Sequence, residues 1–317
     1  MMIEKACIMI CGILALAQYS CSFGDEPALC PFNVRLEYWY VGSSAENALP
    51  VYVDHIRQYL FDGEDKLVAT TTLRGDSVTG WSADLPTGRY TIVLWGNPGE
   101  EEKSSVQVVA DEEKTLGNTV LSAGRDSVPP CFRENTERLY YGIATFEVDN
   151  KTALRQRIYL SHAHAALSVT VHWMEDAPPP PAGGTYRMRL KGTPATYGFV
   201  SGYESDIPSG NGLFHIPRIG GTATYHEARA AMNYDGEVTG QLVTFRYTSH
   251  THQLWSLWRN GEQIIRDLDL NSFFSKLPMN MDTNIEQEFD ILVTVYKNKI
   301  VVSLASASDW DEGGTLG

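Results

Sequence analysis

The 317-residue chain has no apolar run long enough to cross a bilayer as a helix, which takes roughly 20 residues. Residues 7–17 form an apolar run of only eleven. Basic residues are few: 25 Lys and Arg face 39 Asp and Glu, for a formal charge of −14. That balance argues against nucleic acid as a partner and against an electrostatic hold on anionic lipid. Cysteine is scarce, limited to Cys7, Cys11, Cys21, Cys30 and Cys131. No Gly-x-Ser-x-Gly elbow, no cysteine with a fitting His and Asn, and no phosphate loop can be found. No alternation of strand and helix patterns occurs, so an α/β fold is excluded.

What the chain does have is apolar and aromatic content, 43% hydrophobic with 16 Tyr and 7 Trp. That supports sizeable cores and favours strands. Residues 84–96 are the organising stretch. Pro86 and Gly88 suit a type I turn. Behind it Tyr90, Ile92 and Leu94 alternate with Thr91, Val93 and Trp95, apolar on both faces, as an interior strand covered on both sides requires. Gly96-Asn97-Pro98-Gly99 ends it.

The N-terminus reads as processing signal rather than fold. Lys5 and the run at 7–17 match a signal-peptide core. Ser20-Cys21 after it resembles a loose bacterial lipobox, which would make Cys21 the lipidated first residue, anchored to a membrane without spanning it. The alternative is an ordinary signal peptide cleaved near Ala17. Asp25-Glu26 in the following spacer resembles a surface-export tag of Bacteroidales lipoproteins. Cys7 and Cys11 leave with the signal, so Cys30 and Cys131 remain. In an oxidising compartment they are expected to pair across a loop of about a hundred residues, adding about 4–5 kcal/mol in the chain-entropy model. The alternative is two separate buried thiols.

Short alternating segments follow at 8–12-residue spacing. Strands are expected over residues 32–41, 51–61, 67–73, 78–85, 106–109, 119–121 and 139–148. The boundary is placed at Asp149-Asn150-Lys151. Beyond it come one long strand or two over 155–173, an exposed loop with four consecutive prolines at 178–181, and strands at 186–190 and 196–199. Residues 201–240 read as a decorated loop region. Strands resume over 242–247, 253–258, 263–270 and 289–304. Asn260-Gly261 is a hairpin signal, and residues 271–277 suggest a short helix capped by Asn271. The expected fold is all-β, with two tandem antiparallel β-sandwich domains at 31–150 and 151–317, after a 1–20 signal peptide and a 21–30 spacer.

Cys30-Pro31 opening a strand, the run Arg57-Gln58-Tyr59-Leu60-Phe61-Asp62, the Leu-Pro-x-Gly-x-Tyr-Thr strand ending in Trp95-Gly96, and Leu139-Tyr140-Tyr141-Gly142 occur in that order. Together they resemble the anchor lipoproteins of Bacteroidales type V fimbriae, the FimB-like fimbrillin-A-associated family. The resemblance is good over 21–150 and thin afterwards. It implies two transthyretin-like sandwiches tethered to the outer membrane by palmitate on Cys21, exposed at the cell surface. It also implies a non-enzymatic role: joining fimbrial shaft subunits to the membrane, by strand addition at an open sheet edge, and helping set fimbrial length. No small-molecule substrate and no cofactor are implied. A glycan-binding surface lipoprotein, or a fimbrial tip or adhesin subunit, is the alternative.

Other chemistry is weighed against this. His162/His164 and His250/His252 would each put two imidazoles on one strand face about 6–7 Å apart, with His172 sharing parity with the first pair. No third ligand is identifiable, so no metal is assigned. Acid pairs such as Asp25/Glu26 and Glu100/Glu101/Glu102 read as solvated loops. Arg74-Gly75-Asp76 spells an integrin tripeptide, and Asp76-Ser77-Val78 and Asp126-Ser127-Val128 resemble a short O-glycosylation motif. Trp255 and Trp258 could stack on sugars, yet their parity places them on opposite faces.

Overall fold

The computed structural model describes residues 32–42, 46–99, 105–110, 114–127, 130–132, 135–180, 183–200, 225–305 and 314–316. Among these, no helix is long and apolar enough to cross a membrane, and the fold is all-β. In chain order, β1 (Val34–Trp39) is followed by α1 (Leu49–Tyr52), β2 (His55–Phe61), β3 (Leu67–Arg74), β4 (Gly80–Ala83) and β5 (Gly88–Gly96). Next are β6 (Val106–Val109), β7 (Val120–Ala123), β8 (Arg125–Ser127), β9 (Pro130–Phe132), β10 (Tyr140–Val148), β11 (Leu154–Tyr159) and β12 (Ser161–His162). The rest comprises β13 (His164–Trp173), β14 (Tyr186–Lys191), β15 (Thr196–Gly198), β16 (Tyr225–Met232), β17 (Val238–Phe245) and β18 (Leu254–Arg259). Finally come β19 (Glu262–Asp269), α2 (Leu270–Phe274), β20 (Glu288–Val295), β21 (Ile300–Leu304) and β22 (Gly314–Leu316).

The interior strand expected at residues 90–95 is β5. It lies in the middle of a five-stranded sheet ordered β12-β10-β5-β2-β3. Tyr90, Ile92 and Leu94 join one core with Val34, Leu36 and Tyr38 of β1. Val93 and Trp95, on the opposite face, join a second core with Leu121, Tyr197 and Phe199. Two further sheets cover these faces, β11-β1-β4 on one side and β15-β7-β6 on the other. Apolar residues on both faces of a strand are stable only under such double cover. At the turn before β5, Asn33 clamps Leu85 by donating to its carbonyl at 2.7 Å and accepting from its amide at 2.9 Å.

Segments beyond Lys151 complete this three-layer body. β11 pairs in parallel with β1 over Val34↔Leu154 to Trp39↔Tyr159, and its Ile158 enters the first core. β15 pairs with β7, and its neighbour Phe199 is fully buried in the second core. Parallel pairing needs a crossover rather than a hairpin, so a local reading of turns cannot anticipate it.

The remaining strands form one continuous sheet, β19-β18-β14-β16-β17-β13-β20-β21-β22, with β8 and β9 attached through β16. β13 pairs antiparallel with β17 and parallel with β20. The sheet curls over its own inner face. Laid flat, β19 and β20 would stand about 29 Å apart at strand spacing, yet Phe274, just after β19, meets Phe289 of β20 at 4.7 Å. The inward faces therefore share one core, with Leu167, Val169, Met188, Trp255 and Ile291.

Local expectations are met at Asn260-Gly261, where φ is +51° and +88° between β18 and β19, as a type I′ hairpin requires. Two are corrected. The short helix begins one residue early, and its cap is Asp269, whose carboxylate accepts from the Ser272 amide at 3.0 Å. Within the stretch 201–240, expected to be loop, residues 225–232 are a strand, and the strand expected at 242–247 begins earlier, at Val238. In β16 the inward positions are His226, Ala228 and Ala230, too small and polar to show as an apolar period.

Candidate functional site

The chain passes from the central five-stranded sheet to the large sheet between His162 and His164. His162 pairs with Tyr140 of β10, and His164 with Phe245 of β17. Ala163, between them, donates its amide to the Leu139 carbonyl and accepts from the Arg246 amide. Both imidazoles are therefore buried at the junction. Their rings stack 4.3 Å apart with planes 22° from parallel, closer than the pair on a regular strand.

Each ring is held differently. His162 Nδ1 accepts from the Gln287 amide at 3.2 Å, so its Nε2 carries the proton and donates to the Tyr40 hydroxyl at 2.8 Å. Tyr40 donates onward to Glu286 Oε1 at 3.1 Å. Burial, and then the neighbouring His164, push the His162 pKa down to about 3, so the ring is neutral. Burial, followed by the Glu286 charge, pushes the Tyr40 hydroxyl well above its usual range. His164 donates Nδ1–H to the Leu139 carbonyl at 2.8 Å. Its Nε2 is buried with no hydrogen-bond partner among the described residues, 3.6 Å from Glu288 Oε1. At that separation the contact is too long for a good hydrogen bond. The imidazole nevertheless exerts the largest influence on Glu288, and with Arg138 it holds the carboxyl below the usual range. Arg138 also ion-pairs with Glu288 directly. Beneath the histidines, buried Arg246 donates to the carbonyls of His162, Met281, Asp282 and Asn284.

His162, His164 and Glu288 each offer a donor atom within 4.8 Å of the others. Glu288 is the third candidate ligand that sequence spacing could not supply, since it lies far along the chain. The other histidines stay apart. His172 bonds Glu237 at the far end of β13 at 3.0 Å. His250 and His252 lie in a loop before β18 rather than on a strand, and His252 faces Asp269 at 3.2 Å.

Cys21 and Cys30 fall outside the described residues, as do Asp25/Glu26, Glu100/Glu101/Glu102 and Val128. Cys131 has its backbone in β9, in register with Tyr225. Arg74-Gly75-Asp76 occupies an exposed turn, whereas Val78 is buried. Trp255 is fully buried and Trp258 half-buried, so the two form no joint platform.

Sheet edges are the other feature available to a partner. β3 borders the central sheet and is bonded on one side to β2. Its outer side meets the 114–116 segment only at its start, through the Leu67 amide and the Lys66↔Thr115 bridge. From Val68 to Leu73 it carries neither charge nor proline, the guards that usually blunt an edge. β19, bordering the large sheet, is guarded by Glu262, Arg266, Asp267 and Asp269.

In fold, the chain is similar to the fimbrial anchor protein Mfa2 from Porphyromonas gingivalis, at 17% identity and a TM-score of 0.61 over 85% of this chain and 96% of that one. It is also similar to a candidate adhesin from Bacteroides ovatus, at 14% identity and 0.65 over 90% and 94%. A candidate polysaccharide-binding protein from Bacteroides thetaiotaomicron matches at 14% identity and 0.65 over 85% and 95%. No curated protein matches in sequence. The family model of the fimbrillin-A associated anchor proteins Mfa1 and Mfa2 matches residues 26–246, well over half of the chain, and the protein belongs to that family.

Proposed function

We propose that this protein is a non-enzymatic anchor that holds a fimbria at the outer membrane and limits its length. Lipidated Cys21 is the tether, shaft subunits are the partners, and a subunit's extended segment is captured by strand addition. Residues 1–20 are removed as signal, 21–30 form the spacer, and the two sandwich units follow at 31–150 and 151–317, the second lending β11, β15 and Phe199 to the first, with Cys30 and Cys131 bridged. The family supplies the fimbrial association and the surface location.

The observation that carries the strand-addition reading is the β3 edge, from Val68 to Leu73 uncharged and paired on one side only among the described residues. Main-chain donors and acceptors left along such an edge are a template for an added strand. Proline scanning tests it. Of Thr70→Pro and Thr71→Pro, one removes an amide aimed at β2 and destabilises the sheet, while its neighbour removes an amide aimed outward. The outward variant is expected to fold normally and to lose co-purification with shaft subunits. Full capture by that variant rejects β3 as the docking edge. Palmitate-analogue labelling of wild type against Cys21→Ala tests the tether separately: an unlabelled, secreted wild type removes the anchor role.

A further inference from the structure

We infer that His164, Glu288 and His162 form a site for a borderline divalent transition-metal ion, with zinc as its representative. His164 is already arranged as metal-bound histidines are, with one nitrogen donating to a backbone carbonyl and the other turned inward. That inward Nε2 is fully buried with no hydrogen-bond partner among the described residues, and an atom so placed calls for an occupant. The 3.6 Å between it and Glu288 Oε1 is too long for a good hydrogen bond. It is close to the roughly 3.3 Å that separates two ligands on one tetrahedral zinc. The 4.8 Å limit on all three donor atoms means that the site closes by small side-chain movements. Two imidazoles and a carboxylate are a donor set that suits zinc, copper or nickel rather than calcium or magnesium.

Two groups oppose the ion and set its affinity. His162 must release Tyr40 or the Gln287 amide to coordinate, and Tyr40 then keeps Glu286 as partner. Arg138 holds the same carboxylate oxygen and repels a cation. Micromolar rather than nanomolar binding follows. Glu288 is partly exposed, which gives the ion a way in.

The test is zinc titration of the purified, metal-stripped full chain by calorimetry, with circular dichroism as the folding control. One equivalent is expected to bind at micromolar concentration. Binding should weaken at least tenfold in Glu288→Gln, a change at a partly exposed position, and in His164→Gln. Arg138→Gln should bind several-fold more tightly, because a competing cation is gone. The His250→Gln/His252→Gln double variant should bind as wild type does. No binding to wild type at 100-micromolar zinc overturns the assignment. So does binding unchanged in Glu288→Gln and Arg138→Gln, or binding lost with His250 and His252.

Discussion

Phe199 is the sharpest probe of how this molecule is built. It lies about fifty residues past the loop at Asp149-Lys151, yet is fully buried in the core on the second face of β5. Its ring meets Tyr59 at 4.9 Å, Trp95 at 5.8 Å and Phe61 at 6.2 Å. Its carbonyl accepts from the Tyr141 hydroxyl at 2.5 Å. Phe199→Ala keeps that backbone bond and removes the ring. Large-to-small changes at buried phenylalanines cost about 3–5 kcal/mol, the lost transfer energy plus the cavity term. The three surrounding aromatic rings leave little room for collapse, so we expect about 4 kcal/mol. Urea denaturation gives the total, and native-state hydrogen exchange gives the place. Amides of β5 and β7 should lose protection, while those of β18 and β20 keep theirs. Val200→Ala, at an exposed neighbour, is the control and should cost under about 0.5 kcal/mol. A Phe199→Ala cost below about 1.5 kcal/mol, or protection lost first in β18 and β20, would falsify the claim that this late segment seals the N-terminal body.

Other outcomes follow from the junction and the turns. In chelator, stability should fall as pH drops from about 6.5 towards 3: unfolded His162 takes a proton in that window, while the buried ring does not until about 3. The loss should approach one proton's slope, up to about 4–5 kcal/mol in all, and should shrink in His162→Gln as read by urea midpoints across that range. Gly192→Ala places a Cβ 1.8 Å from the His252 carbonyl oxygen at φ +74°, so a soluble yield far below wild type is expected. Asp269→Ala removes the α2 cap and should lower stability by about 1 kcal/mol in the same denaturation assay. Non-reducing gel mobility that shifts in Cys131→Ser establishes the Cys30–Cys131 bridge; identical mobility refutes it.

Much was legible before any coordinates. The double-faced apolar pattern of residues 90–95 demands cover on both sides, because neither face can stay wet. Asn260-Gly261 demands a two-residue hairpin, because few residues tolerate two consecutive positive φ values. The opposite parity of Trp255 and Trp258 already argues against a shared platform. Those are local constraints, written in period and turn chemistry. Which layers cover β5 was decided only by tertiary structure. β11 and β15 arrive by crossovers whose pairing depends on distant partners, and no local signal records that. β16 carries no apolar period because alanine and histidine line its inner face. His162 and His164 were visible as a pair, but Glu288 joins them only because β20 lies beside β13. A strand's periodicity says which side chains share a face; only the packed sheet says what that face meets.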